Sequence, residues 1–171
     1  MTVDYTLKLI LIRPSGIGKI IDKIVDRFSI DYKLTHGVDF LNKSIEFGKE
    51  RIVKLSIWDI DIEAHRFDFL RKNYYEGAHG ALIFFDLTHR ETYEEAKKLW
   101  AEIKELKGFV PFLLIADNLN TLKMADSILR KEACDFARNE GGTFTEITPD
   151  NVDLLEKAIS ELVYAIIENY K

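Results

Sequence analysis

The sequence predicts an α/β protein: a mostly parallel six-stranded sheet with helices on both faces and one antiparallel hairpin at its edge. Three observations carry that expectation. Short, nearly continuous apolar runs at 5–12, 80–87 and 109–116 have the pattern of strands buried on both faces. Between them, apolar residues recur at helical spacing: Ala96, Leu99, Trp100, Ile103 and Leu106 share one face of a helix whose other face is charged. Phe47-Gly48-Lys49-Glu50 joins two strand-like stretches as a hairpin turn would. Strands that alternate with helices build parallel sheets, because each helix carries the chain back to start the next strand in the same direction.

The elements follow in order. Only Thr6 and Lys8 interrupt the apolar run 5–12, which reads as a central strand. Arg13-Pro14-Ser15-Gly16-Ile17-Gly18-Lys19-Ile20 is a glycine turn, and Ile20, Ile21, Ile24, Val25 and Phe28 then mark a helix over 18–28. Residues 29–35 show no period and read as a loop, 38–47 and 51–58 as the hairpin strands, and 59–65 as polar and irregular. Phe67, Leu70, Tyr74 and Tyr75 resume helical spacing. After the strand 80–87, a helix over 88–107 stops at Gly108, a residue suited to helix ends. A strand at 109–116, a helix at 125–139, a Gly141-Gly142 turn, a strand at 143–147 and a last helix from about Asp150 complete the chain. That helix carries Val152, Leu155, Ile159, Leu162, Val163 and Ile166 on one face. No repeat or linker divides residues 1–171, so a single domain is expected.

Composition narrows the function. With 171 residues, 47% hydrophobic and 31% charged, the chain is an ordinary globular one. A net charge of −5 argues against nucleic acid or an anionic membrane surface as partner. The lone Cys134 has no disulfide partner and no secretory leader precedes the first strand, which together suit the cytoplasm. No apolar run is long enough to span a bilayer, and Glu168-Asn169-Tyr170-Lys171 offers no cysteine for prenylation. No direct membrane anchor is expected.

The glycine turn has the context of a phosphate-binding loop: a buried strand, a Gly-rich turn, then a helix whose first N–H groups face an anion. The candidate phosphate site is Ser15, Gly16, Ile17, Gly18, Lys19 and Ile20. Two letters depart from G-x-x-x-x-G-K-[ST]. Arg13 stands at the first glycine, where it either spoils the backbone nest or puts its guanidinium into the phosphate site itself. Ile20 replaces the hydroxyl that would ligate Mg²⁺; it has no lone pair to offer.

Thr35-His36-Gly37-Val38-Asp39-Phe40, Ile57-Trp58-Asp59 and Tyr74-Tyr75-Glu76-Gly77-Ala78-His79-Gly80-Ala81 resemble a Ras-superfamily small GTPase of the Rab-like type, from about residue 5 to the final helix. The resemblance implies GTP or GDP with Mg²⁺ as ligand, with Lys19 on the β/γ-phosphates and Thr35 and Asp59 at the metal. It also implies what is lost. Where the family has Asp-Thr-Ala-Gly-Gln-Glu, this chain has Asp59-Ile60-Asp61-Ile62-Glu63-Ala64-His65, without the glycine or the water-positioning glutamine. His65 is a candidate replacement base or a surface residue. The guanine motif Asn-Lys-x-Asp reads Asp117-Asn118-Leu119-Asn120, and Asn120 would set an NH₂ against a donor of the base. Thr148-Pro149-Asp150 replaces Ser-Ala-Lys; Pro149 has no N–H to give, and Thr148 or Asp150 can instead cap the last helix.

The leading expectation is therefore a Rab-like interaction module with no cofactor, no catalytic residue and no hydrolysis. The alternative is a divergent GTP-binding switch that keeps GTP/GDP and Mg²⁺; binding of a different nucleotide or anion is a third. By the resemblance, a protein partner would be met through an aromatic triad, Phe40, Trp58 and Tyr74.

Overall fold

The computed structural model describes residues 2–14, 31–34, 38–60, 71–120 and 124–169. Their strands are β1 (Thr2–Ile12), β2 (Asp31–Leu34), β3 (Val38–Phe47), β4 (Arg51–Ile60), β5 (Gly80–Asp86), β6 (Phe112–Asp117) and β7 (Thr143–Ile147). The helices are α1 (Arg71–Tyr75), α2 (Arg90–Lys107), α3 (Ser127–Asn139) and α4 (Asp153–Asn169). One sheet joins all the strands in the order β2-β3-β4-β1-β5-β6-β7. From β4 onward every neighbouring pair is parallel, and β3 meets β4 antiparallel. The six expected strands and the edge hairpin are all present. The helix expected over 18–28 lies outside the described residues.

Three local readings change. Residues 29–35 were expected as a loop, but Asp31–Leu34 is a strand that pairs antiparallel with β3. Four residues are too few to show a period, and the free edge of β3 supplies the partner. Asp59 and Ile60, expected in the irregular stretch, close β4, because Asp59 is in register with Asp39 on one side and Leu11 on the other. The strand expected from residue 109 begins at Phe112, since Phe109 is 60% exposed and Pro111 has no N–H for a ladder.

Alternation along the strands sorts side chains between two layers. Leu9, Ile57 and Leu41 stand side by side in register on the face that α4 covers. There Glu156 accepts from Lys43 and Tyr164 packs on Phe47 with ring centres 4.5 Å apart. Ile10, Ala81 and Phe112 stand side by side on the other face, where the Trp100 ring of α2 lies 4.2 Å from Phe112. On that side α1 joins α2 through Arg71 and Glu102 (2.9 Å), and α3 joins α2 through Phe136 and Tyr93. Gly142 makes the second layer possible: a Cβ there would lie 2.4 Å from the Phe112 ring. None of the described helices is long and apolar enough to cross a membrane.

Candidate functional site

In open α/β sheets, ligands sit beyond the carboxyl ends of the strands. Here β1 delivers Arg13 to that end, β4 delivers Asp59, β5 Asp86, β6 Asp117 and Asn118, and β7 Glu146 followed by Thr148. Ser15, Gly16, Ile17, Gly18, Lys19, Ile20, Thr35 and His65 lie outside the described residues.

Arg13 and Asp59 meet directly. Arg13 Nε donates to Asp59 Oδ1 and Nη2 to Oδ2, each at 3.0 Å, a fork-on-fork contact that matches two parallel donors to two carboxylate oxygens. The Asp59 side chain is 1% exposed and that of Arg13 22%. Among the described residues, Asp59 is the one charged side chain that is buried. β1 and β4 are parallel neighbours with Leu11 opposite Asp59, so two residues beyond Leu11 the guanidinium reaches back over the end of β4.

The base side of the pole is also internally paired. Asn118 Nδ2 donates to Glu146 Oε1 (2.8 Å), and Arg130 of α3 holds the same carboxylate through Nε–Oε2 (2.6 Å) and Nη2–Oε1 (2.9 Å). Asp117 Oδ1 turns back to accept from Leu119 N (2.9 Å). Asn120 is exposed. Helix α4 starts at Asp153, so neither Thr148 nor Asp150 borders it. Thr148 N instead donates to Asn151 Oδ1 (2.6 Å), closing a separate turn that leaves Pro149 exposed. Asn151 Nδ2 reaches Glu146 O (3.4 Å), which ties that turn to β7. Asp86 accepts from Thr88 N (2.8 Å) and Thr88 Oγ1 (2.6 Å) and contacts His89 Nδ1 (2.8 Å). Among the described residues, no three His, Cys, Asp or Glu side chains gather as a metal cluster.

The hydrogen bonds from Arg130 hold the Glu146 carboxyl below the usual carboxylate range, with a smaller contribution from Asn118. A depressed acid stabilises the fold above its unfolded pKa, and that stability is lost as pH falls through the folded value. Glu146→Gln should therefore cost roughly 1 kcal/mol at neutral pH, screened by the 40% exposure of Arg130. The gap to wild type should close below about pH 4.5. Paired urea melts across that range check it; a gap that widens in acid contradicts the assignment.

The triad residues lie on the sheet face that carries α1. Phe40 and Trp58 are in register with rings edge-on at 4.7 Å, and Trp58 Nε1 donates to Ser56 Oγ (3.2 Å). Tyr74 on α1 is half-buried like both of them, whereas its neighbour Tyr75 is fully buried and donates to Glu102 Oε1 (3.2 Å). The structure adds Lys8, which the sequence did not suggest: its Nζ lies 3.6 Å from the centre of the Trp58 ring and donates to Glu76 O (2.8 Å). Arg130 and Glu146 carried no signal either, because the fold alone joins α3 to β7. Arg13 did carry one: the glycine was replaced by a cation while the aspartate across the sheet was kept.

The Ras family profile matches residues 8–168. The chain is 32% identical to the Ras-related protein RABC1 of Arabidopsis thaliana over 169 residues, covering 96% of this chain and 79% of that one. It is 30% identical to the Ras-related protein Rab-25 of Mus musculus over 174 residues (98% and 81% covered). The Ras-related protein Rab11A of Nicotiana tabacum is likewise 30% identical over 172 residues, with 96% and 78% covered. With the sheet order, the hairpin and the aromatic register already in place, these matches make the chain a Rab-like member of the Ras superfamily of small GTPases.

Proposed function

We propose that this Rab-like chain acts in the cytoplasm as a protein-interaction module without a GTPase cycle, its partner seated on Phe40, Trp58 and Tyr74. The observation that carries the proposal is the fork between Arg13 and Asp59. The family binds GTP or GDP with Mg²⁺, and the described residues do not fit that pair. A guanidinium on both oxygens of Asp59 puts a fixed positive charge where the carboxylate would support a hydrated cation. On the base side, Glu146 engages the amide of Asn118, and Asn120 supplies one acceptor where guanine presents two donors. Losses at the phosphate, metal and base ends compound, because the parts of such a site act as a unit.

Purified protein should release no stoichiometric guanine nucleotide on heating, and GTP or GDP with Mg²⁺ should leave its Tm unchanged. A ligand at 100 times its Kd adds about 2.7 kcal/mol, which a melting curve reads easily. Ile20→Ser alone should create no phosphate release. The competing reading, a divergent GTP switch, draws on the retained Gly16, Gly18, Lys19 and Thr35 and expects the opposite. A Tm rise specific to guanine nucleotides and abolished by Lys19→Ala would establish it instead.

A further inference from the structure

The opposite end of the sheet, where β5 and β6 begin, borders a cavity of about 410 Å³. Its wall is apolar, from the exposed Phe109 and from Ala78, Val110, Pro111 and Ile166 behind it, and its polar groups include Lys107 and His79. Local structure explains the hollow. Helix α2 ends at Lys107, and Gly108 takes φ 89°, a conformation that turns the chain sharply and suits glycine. The segment after it returns to the sheet, where Pro111 O accepts from Ala81 N (3.0 Å). On the far side Gly80 lets α4 come close: a Cβ there would lie 2.8 Å from Ile166 Cδ1.

The Lys107 ammonium and the His79 imidazole stand beside this apolar wall. Lys8 N donates to His79 Nδ1 (3.0 Å) and His79 N returns a bond to Lys8 O (2.8 Å), so the neutral imidazole carries its proton on Nε2. Burial, then Lys107 and Lys8, push His79 toward the neutral form. Burial and Lys107 likewise lower Lys8, against the pull of Glu76. With the imidazole neutral, the positive charge on the cavity lining is the Lys107 ammonium. The volume lies within the range of small-molecule sites, which combine a mostly apolar lining with a few placed polar groups.

We propose that this cavity binds a small amphipathic carboxylate, its aryl or branched-alkyl body against Phe109, Val110 and Pro111 and its carboxylate on the Lys107 ammonium. The charge-assisted contact selects the anion over a neutral isostere, and the wall selects it over inorganic anions. The site is remote from Arg13 and Asp59, so the inference holds whether or not the chain binds nucleotide.

The probe is 4-phenylbutyrate, titrated into ¹⁵N-labelled full-length protein. Saturable amide shifts should centre on Ala78, His79, Phe109, Val110 and Ile166. The neutral 4-phenylbutyramide should bind at least tenfold more weakly, and so should 4-phenylbutyrate to Lys107→Glu. Lys107 is exposed, so circular dichroism should show that variant folded; Lys107→Ala, with an intermediate loss, provides a second reading. No saturable shift, shifts centred on the carboxyl ends of the strands, equal binding of the amide, or unchanged affinity in Lys107→Glu would each overturn the proposal.

Discussion

Arg13→Ala should destabilise the fold by about 3–5 kcal/mol, the cost of breaking a buried ion pair from one side. The Asp59 side chain is 1% exposed, and the substitution takes away the guanidinium that meets both of its oxygens. Burial keeps the charged carboxylate from recovering in water what it loses in the protein. Urea melts read this as a fall in midpoint at constant slope. Removing both charges tests the cause: Arg13→Met with Asp59→Leu should regain most of the loss, because an apolar pair of similar volume replaces a buried ion pair at little cost. A single-variant loss below about 1 kcal/mol would place the pair with ordinary surface salt bridges and would remove the main support for the proposed loss of Mg²⁺ binding.

Trp58→Ala should weaken partner capture at least 30-fold, about 2 kcal/mol or more, as central aromatic anchors of interfaces do. Trp58 is half-buried, with Phe40 edge-on to it and Lys8 over its ring. Its contacts join three elements at a surface that none of the described helices covers completely, and the apolar body with one polar N–H suits an interface. Lys157→Ala, on the exposed side of α4, is the control. Proteins retained quantitatively by wild type and by Lys157→Ala, but not by Trp58→Ala, identify the partner. Equal retention by folded Trp58→Ala would move the interface elsewhere.

Period and alternation determined most of the described architecture. The buried strands β1, β5 and β6, the β3–β4 hairpin and the amphipathic helices α2, α3 and α4 were all legible, because burial on one or both faces writes itself into local sequence. The family was legible too, in Gly37-Val38-Asp39-Phe40 and in the segment from Tyr74 to Ala81. So were the departures at Arg13 and Asn120, since each breaks a short pattern at a known offset. What those departures do required the fold. Arg13 and Asp59 are 46 residues apart, Asn118 and Glu146 are 28 apart, and nothing local says that each pair will meet. Strand β2 has no period of its own to show in the sequence; the edge of β3 decides it. Lys8 read as one polar break in an apolar strand, and only the parallel pairing of β1 with β4 set its ammonium over Trp58. Short-range pattern records which side chains leave water; which of them share a dry, charged contact is decided where the strands end side by side.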